Sequence, residues 1–334
     1  MNLMAQKLID WQRRHGRNDL PWQMRDAYAV WVSEIMLQQT QVETVIPYYQ
    51  RFMARFPDLQ TLAQSDLDAV LALWSGLGYY ARARNLHRAA RLAWEGNGHF
   101  PEHFDALLAL PGIGRSTAGA IAVFAGGGRY PILDGNVRRV LARISGIEGW
   151  TGDAVVQSAL WRQAEALLPE CDMAAYTQGL MDLGAMVCTR ARPRCEGCPW
   201  SVECVARQSG RQHELPVPRP PRSVPERSVD LWLIEAAGRV LLEQRPPLGI
   251  WGGLWSLPER SPVGLDAAVA EPLPPYRHAL THFRLLLQPR RIRLDRVPVQ
   301  VAEPGRQWVT AAQWRTMALP APIRRLLEAS VCVD

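Results

Sequence analysis

Four cysteines fall within seventeen residues of this chain, and they limit what this part of it can fold into. The cysteines are Cys188, Cys195, Cys198 and Cys204, with the spacing C-x6-C-x2-C-x5-C. In a reducing compartment such a cluster is more typical of metal binding than of disulfides. Four thiolates suit tetrahedral zinc or an iron–sulfur cluster. Zinc sites usually contain two C-x2-C pairs, and only Cys195 and Cys198 form one here, so the spacing favours iron–sulfur and leaves zinc open. We expect the metal to fix a segment that is too short and polar to form its own core.

Length and charge set the next limits. The chain has 334 residues, enough for two domains, and its net charge of +6 favours a polyanionic partner. No apolar run is long enough to span a bilayer, and the N-terminal residues predict an amphipathic helix rather than a signal peptide. These features predict a cytoplasmic protein that does not bind membranes. Lys7 is the only lysine, which restricts chemistry that needs a free amine.

Helix signals dominate residues 1–207. Asp26 and Asp134 are in position to cap helices, and Ser65 is a further candidate cap. The sequence Thr40-Gln-Val-Glu43 has the form of a capping box, which predicts that one helix ends near Gln38 and another begins. Leu110-Pro-Gly-Ile-Gly-Arg115 lies between two predicted helices and suggests a helix-hairpin-helix.

The composition changes after Cys204. Residues 208–226 form a linker rich in proline and arginine, which we expect to be extended. Strands are predicted at 228–235, 239–245 and 283–287, and a helix is predicted at 323–328. The fold class is therefore a mainly α N-terminal region, residues 1–207, followed by an α+β domain, residues 227–334.

The hairpin glycines and two carboxylates carry the first functional hypotheses. Gly112 and Gly114 would let backbone amides approach a phosphate, although the segment could also be an ordinary turn; the basic charge favours nucleic acid. Glu34 lies on a largely apolar helix, where burial would keep it protonated, and the capping bonds of Asp134 would favour its ionised form. A solvated helix face and a plain N-cap are the structural alternatives. One proton donor beside one anion is the pair that cleavage of a glycosidic bond requires.

These motifs, in this order, resemble the helix-hairpin-helix DNA glycosylase superfamily and, within it, the MutY family of adenine DNA glycosylases. The resemblance covers most of residues 20–204. The matching segments are LPW at 20–22, SEIMLQQTQV at 33–42, GLGYYARARNL at 76–86, LPGIGRSTAG at 110–119, ILDGNV at 132–137, MDLGAMVC at 181–188, and the cysteine spacing.

The resemblance implies two helical subdomains with the active site between them, a [4Fe–4S] cluster held by the loop at 188–204, and a C-terminal domain similar to Nudix hydrolases. It implies excision of adenine paired with 8-oxoguanine or guanine in double-stranded DNA, by a monomer that is near the nucleoid if the source is bacterial. Glu34 would protonate the adenine, and Asp134 would stabilise the oxocarbenium-like sugar. The Nudix-like domain lacks a dense glutamate cluster for magnesium, since only Glu259, Asp266 and Glu271 are nearby, which predicts no pyrophosphohydrolase activity.

Other site residues follow from the matched positions. Asn136 would orient the site, and Asp182 would contact the adenine. Leu37, Gln39 and Tyr79 suit wedges that fill the space of the flipped base, with core packing as the alternative. The remaining predicted DNA contacts are Gly112, Gly114, Ser116, Arg138, Thr281 and His282, together with Arg190, Arg192 and Arg194, which the loop pinned by Cys188 and Cys195 would present to phosphate.

The lesion itself would be recognised by residues 277–283. Many relatives have Phe-Ser-His where this chain has Leu280, Thr281 and His282. Threonine keeps a hydroxyl that could reach 8-oxoguanine, whereas leucine lacks the aromatic ring. We therefore expect the lesion preference to be retained.

Two rival functions remain to be weighed. An endonuclease III-like glycosylase on oxidised pyrimidines also nicks DNA, through a lysine after the hairpin that forms a Schiff base. Ser116 occupies that position here, which predicts a monofunctional enzyme. The other rival is a non-catalytic DNA-binding protein, which the presence of both Glu34 and Asp134 disfavours.

Overall fold

The chain is mainly helical as far as residue 208, and a mixed β-sheet follows. The structure is a computed structural model, and it describes residues 3–23, 26–221, 223–260, 270–280, 282–298 and 305–331. The contacts divide the chain into two compact units. The first runs to Gln64 and resumes at Arg88–Pro221, and the second combines Ser65–His87 with the described residues that follow 222. No helix in these described ranges is long and apolar enough to cross a bilayer.

The helices are α1 Leu3–His15, α2 Ala27–Leu37, α3 Val42–Arg55, α4 Leu59–Ala63, α5 Leu67–Trp74, α6 Ala81–Asn97, α7 Phe104–Leu108, α8 Arg115–Gly126, α9 Gly135–Ile144, α10 Ala154–Ala166, α11 Met173–Asp182 and α12 Val205–Gln208. A π-helical turn, Leu183–Val187, extends α11, and Cys195–Gly197 is a 3-10 turn. In the first unit α1 packs against α11 and α2 packs against α8. One core of this unit contains the buried residues Leu8 of α1, Leu141 of α9 and Leu180 of α11.

Local capping explains where several helices begin. Asp26 caps α2 as predicted, because its Oδ1 accepts a hydrogen bond of 2.8 Å from Ala29 N. The predicted capping box at Thr40 does not form. Its hydroxyl lies 3.4 Å from the carbonyl of Gln38, and α3 begins after Gln41 without a side-chain cap. The predicted cap at Ser65 is also wrong by one residue, since Asp66 occupies the N-cap of α5.

The second unit is built on a sheet whose strands are β1 Glu226–Ala236, β2 Arg239–Gln244, β3 Trp255–Ser256, β4 Glu271–Pro272, β5 Tyr276–Ala279, β6 Arg284–Leu294 and β7 Arg306–Thr310, with helices α13 Ala311–Thr316 and α14 Ala321–Val331. The strand order is β3-β2-β1-β6-β4, with β5 on β6 and β7 on β2. Because β1 and β6 pair in parallel over their full length, β6 continues well beyond the predicted strand at 283–287. Alternate residues of β1 enter different cores: Leu231 and Leu233 pack on one face, Trp232 and Ile234 on the other.

The start of the linker is attached to the first unit. Val217 forms a parallel β-bridge with Trp150, and the Arg219 guanidinium lies 5.5 Å from the centre of the Trp150 ring. Nε of the buried Arg143 also donates a 2.8 Å hydrogen bond to the carbonyl of Leu215. The extended backbone predicted here is therefore held in place by specific contacts.

Candidate active site

Glu34 and Asp134, the two predicted catalytic carboxylates, lie close together in the first unit. Glu34 is on the last turns of α2 and Asp134 is the N-cap of α9. Burial raises the pKa of Glu34 to about 8, and the negative charge of Asp134 adds to this effect. Glu34 is therefore mainly protonated at neutral pH, as the sequence predicts for a carboxyl in apolar surroundings.

A cavity of about 280 Å³ opens beside Glu34, and its wall combines apolar faces with amide groups. The apolar part comprises Leu20, Trp22, Val30, Leu37, Val42, Phe124 and Met181, and the amides belong to Gln12, Asn18, Gln23 and Gln178. Such a lining suits a flat ring with polar edges, because the apolar groups cover its faces and the amides bond its periphery.

Asp134 is held by its own helix. Its Oδ1 accepts hydrogen bonds of 2.7 Å from Asn136 N and 2.8 Å from Val137 N. These bonds were predicted to favour the ionised form, but burial outweighs them and raises the pKa of Asp134 above its ordinary value. The bonds and the charges of Arg139 and Arg138 act to lower it. Two coupled carboxyls lose their protons stepwise, and these donors make Asp134 the one that ionises first.

Arg139 joins the start of α9 to the cysteine loop. Its guanidinium donates to Asn136 Oδ1 at 2.8 Å, to the carbonyl of Gly184 at 2.6 Å and to the carbonyl of Cys188 at 2.8 Å. A Cβ at Gly184 would lie 2.6 Å from the Cβ of Asn136, so this approach requires glycine. Asn136 is thus fixed beside Asp134, its role in orienting the site stays a prediction, and Arg139 was not identified from the sequence. The neighbouring Arg138 donates to the carbonyl of Leu133 at 3.2 Å.

Asp182 is not among the residues that line the cavity, and its contact with the adenine stays a prediction. It is fully buried, and its oxygens accept from Arg17 N at 2.9 Å, Arg17 Nε at 2.7 Å and Gln178 Nε2 at 2.9 Å. Arg17 and Gln178 are the residues that reach the cavity. Asp182 therefore positions the side chains of Arg17 and Gln178 through hydrogen bonds, although it does not line the cavity itself. The i, i+4 spacing of Gln178 and Asp182 on α11 is the sequence signal that could have identified this pair.

The hairpin has the backbone that the sequence predicts. Gly112 has a φ of 84°, in the left-handed region, and the amide of Ile113 closes the turn onto the carbonyl of Leu110 at 3.2 Å. Gly114 is the N-cap of α8, and no side chain caps this helix. A Cβ at Gly114 would meet no atom within 4 Å, so nothing inside the protein requires glycine there. The exposed helix end leaves amides available to an external anion.

Ser116 and Lys7, which bear on lyase chemistry, are both engaged. Ser116 Oγ accepts a 2.9 Å hydrogen bond from Leu133 N, directly before Asp134. The amine of Lys7 forms an ion pair with Glu203. In the part of the chain that the structure describes, no lysine side chain other than Lys7 exists to act as a nucleophile.

The three predicted wedges differ in their setting. Leu37 is half-buried and lines the cavity. Gln39 is exposed, with a φ of 59°, and Tyr79 in the second unit is 45% exposed, with a φ of 50°. Left-handed backbone is strained for residues other than glycine and often marks functional sites. The wedge roles stay predictions.

The four cysteines line one cavity together with Arg143, Val187 and Pro193. Burial and the neighbouring sulfurs raise the pKa values of Cys198 and Cys204, so a bound cation would be needed to hold these two sulfurs as thiolates at neutral pH. Within the described ranges, no three His, Cys, Asp or Glu side chains are placed to hold a single metal ion. Four cysteines around one cavity, the cysteine cage, can supply the four thiolate ligands of a zinc ion or of an iron–sulfur cluster.

Buried Arg143 organises the cysteine loop. It donates to the carbonyl of Thr189 at 2.7 Å and of Arg190 at 3.1 Å, and its Nη1 lies 3.3 Å from Cys188 Sγ. The arginines predicted to bind phosphate, Arg190, Arg192 and Arg194, are all exposed. The guanidinium of Arg194 is partly engaged by the carbonyl of Met186. Helix α1 is attached to the same loop, since Trp200 Nε1 donates to the carbonyl of Met4 at 2.8 Å.

The segment predicted to read the lesion lies at β5 and the turn after it. The His278 ring lies 5.9 Å from that of Trp251, and burial together with the charge of Arg325 lowers its pKa. His282 is exposed, and Thr281 lies outside the described residues. Of the carboxylates considered for magnesium, Glu259 is paired with Arg245 and Glu271 is exposed in β4. Asp266 also lies outside the described residues.

Comparison with known proteins identifies the family of both parts of the chain. Residues 32–166 match the model of the HhH-GPD superfamily of base excision DNA repair proteins, and residues 230–329 match the NUDIX domain. The chain is 35% identical to the adenine DNA glycosylase of Buchnera aphidicola from Acyrthosiphon pisum, over 98% of this chain and 97% of that protein. It is 34% identical to the human adenine DNA glycosylase, over 96% of this chain and 72% of that protein.

A solved structure supports the helical part. A thermostable thymine-DNA glycosylase superposes with a TM-score of 0.56 and 27% identity, over 62% of this chain and 96% of that one. The predicted fold class, a helical glycosylase region followed by a Nudix-like α+β domain, is confirmed. An enzyme of base excision repair is therefore encoded here, and the chain belongs to the MutY family of adenine DNA glycosylases.

Proposed function

We propose that this adenine glycosylase acts on adenine paired with 8-oxoguanine or guanine in double-stranded DNA, and that it is monofunctional. The observation that carries the proposal is the pair of carboxyls in one site, with Glu34 held protonated and Asp134 held by the donors of α9. Adenine leaves only when its ring is protonated, so the site supplies both the proton and the counter-charge.

The reaction starts with the adenine flipped from the duplex, at a cost of roughly a few kcal/mol. The base enters the cavity beside Glu34, where Trp22 and Phe124 cover its faces and Gln178 bonds its edge. Glu34 donates its proton to a ring nitrogen, and the bond between the base and C1′ of the sugar breaks. The positive charge that develops on the sugar is stabilised by the carboxylate of Asp134. Glu34, now ionised, accepts a proton from the water that adds to C1′.

The cysteine cage is proposed to hold a [4Fe–4S] cluster through the thiolates of Cys188, Cys195, Cys198 and Cys204. When bound, the cluster supplies four iron–thiolate bonds that fix the loop. Hydrolysis of the glycosidic bond requires no net electron transfer, so the loop serves the reaction by position. Arg190 and Arg192 are presented to solvent at its surface, where phosphate oxygens of the duplex can accept from them.

Two contacts support a monofunctional enzyme. A lyase needs an amine beside the sugar, but the position after the hairpin is Ser116, whose hydroxyl bonds Leu133 N. Lys7 is paired with Glu203 next to the cage. Strand cleavage without alkali, trapped by borohydride, would contradict this part of the proposal.

The test is a single-turnover assay on duplexes carrying adenine opposite 8-oxoguanine, guanine, cytosine or thymine. We expect wild-type protein to release adenine fastest opposite 8-oxoguanine. Glu34→Gln should lower the rate by about a hundredfold or more, because it removes the general acid. Glu43→Gln, on an exposed glutamate of the next helix, is the matched control and should keep the wild-type rate.

The pH dependence gives an independent check on Glu34. The wild-type rate should fall about tenfold for each pH unit above about pH 8, since only protonated Glu34 is active, and it should also fall at acidic pH, where Asp134 becomes protonated. Intact adenine opposite 8-oxoguanine would refute the function. A rate that rises above about pH 8 would refute the role of Glu34 as the acid.

A further inference from the structure

The second compact unit contains both Tyr79 and the segment that we propose reads the lesion. Tyr79 lies in Ser65–His87, a stretch of the helical region that packs with the C-terminal sheet. Ser75 Oγ donates to the carbonyl of Leu319 at 3.2 Å, and Gln244 Nε2 donates to Asp68 Oδ1 at 3.0 Å. Tyr79 therefore belongs to the same compact unit as the lesion-reading segment.

Arg84 makes the central contact between these two parts. It lies one turn after Tyr79 and is half-buried, and its Nη1 donates a 2.7 Å hydrogen bond to the carbonyl of Gly252. A Cβ on Gly253 would lie 3.4 Å from Leu71 and 4.0 Å from the Arg84 side chain. The turn at 251–253 thus sits directly against the segment that carries Tyr79.

The turn is strained and closely packed. Trp251 has a φ of 56°, which is rare for a bulky residue, and Gly253 has a φ of 77°. A Cβ at Gly252 would lie 2.4 Å from the carbonyl oxygen of Pro247, so no other residue fits there. The centre of the Trp251 ring lies 5.9 Å from that of the His278 ring, and the two planes are tilted by 49°. A strained, closely packed turn transmits a displacement instead of absorbing it.

We propose that Arg84 is a positioning residue for lesion discrimination. Through the carbonyl of Gly252 and the ring of Trp251, it fixes Tyr79 relative to His278. Tyr79, the wedge, then inserts into the duplex only when the lesion-reading segment is bound to the base opposite the adenine. This inference rests on the proposed preference for 8-oxoguanine over guanine.

The test compares single-turnover rates of the full-length protein on adenine opposite 8-oxoguanine and adenine opposite guanine. Arg84→Met removes the donor and keeps most of the side-chain volume, and Arg84→Lys keeps a donor. Trp251→Asn removes the ring, and asparagine tolerates the left-handed backbone. Arg88→Met changes an exposed arginine one turn further along α6 and is the matched control.

We expect Arg84→Met and Trp251→Asn each to lower the ratio of the two rates about tenfold, with little change on the guanine mispair. Arg84→Lys should recover most of the ratio, and Arg88→Met should leave it unchanged. Because both substitutions interrupt one connection, the double variant should be no worse than either single one.

Three outcomes would overturn the proposal: an unchanged ratio in Arg84→Met, equal losses on both substrates, or additive effects in the double variant. If Arg84→Met fails to fold, the ratio in Trp251→Asn decides alone. A wild-type enzyme without any preference for 8-oxoguanine would instead refute the proposed function, and this is seen before any variant is made.

Discussion

Replacing Glu34 with glutamine should stabilise the protein at alkaline pH. Glu34 is held in a site that raises its pKa from 4.5 to about 8. Between these values the folded protein binds a proton that the unfolded chain has lost. The free energy of unfolding must therefore fall as the pH rises from about 4.5 to about 8, and it stays low above that range. Glutamine has no proton to lose, so the variant escapes this penalty.

The size of the effect follows from the same two pKa values. The interval between 4.5 and about 8, at about 1.4 kcal/mol per pH unit, gives an upper limit of about 5 kcal/mol. Glu34 is not fully enclosed, because it lines an open cavity where solvent can relax around its charge. We therefore expect the variant to gain about 2 to 4 kcal/mol on wild type between about pH 5 and about pH 9.

The measurement is urea unfolding followed by circular dichroism at several pH values, for wild type and Glu34→Gln. Glu43→Gln is the control for a loss of negative charge on an exposed helix, and it should not reproduce the gain in stability of Glu34→Gln at alkaline pH. Asp134→Asn in the wild-type background should make the pH dependence shallower, because the charge of Asp134 contributes to the raised pKa. If Glu34→Gln and wild type differ by the same free energy at both ends of the pH range, burial does not penalise the ionised carboxyl.

Three other substitutions test separate parts of the molecule. Gly112→Ala places a Cβ at a φ of 84° and should destabilise the protein by about 1 to 2 kcal/mol in urea unfolding, with weaker binding to every duplex in fluorescence anisotropy; wild-type values in both would contradict the requirement for glycine. Replacing Arg190 and Arg192 with alanine should reduce the slope of log affinity against log salt by about 0.9 for each phosphate that these arginines neutralise, and an unchanged slope would show that they do not touch phosphate. Arg143→Met should lower the iron content and visible absorbance of purified protein, since Arg143 holds the backbone of the loop; full iron content would show that the cysteines alone suffice.

Features that depend on a few neighbouring residues could be predicted from the sequence. Asp26 and Asp134 cap helices because their side chains bond amides two or three residues away. The left-handed backbone of Gly112 in the hairpin could be predicted for the same reason, because it depends on the neighbouring residues of the turn. The capping box at Thr40 failed because the backbone at Gln39 turns left-handed and the helix starts later.

Features that depend on which elements meet could not be predicted in this way. Gln178 reaches the cavity because α11 lies beside the segment that carries Arg17. Arg139 links Asn136 to the cysteine loop because the π-helical turn brings Gly184 against α9. The raised pKa of Asp134 reflects burial by distant parts of the chain, which outweighs the local hydrogen bonds that its sequence predicts.

The attachment of α1 to the cysteine loop affects how the protein is made. Met4 and Lys7 are synthesised 196 positions before their respective partners, Trp200 and Glu203. At a synthesis rate of roughly 5 to 20 residues per second, about 10 to 40 s pass between the synthesis of α1 and that of the residues it contacts in the cysteine loop. During that interval Leu8 and Ile9, which are buried in the folded protein, have no finished core to enter. The apolar face of α1 therefore stays without its final packing partners until the cysteine loop has been synthesised.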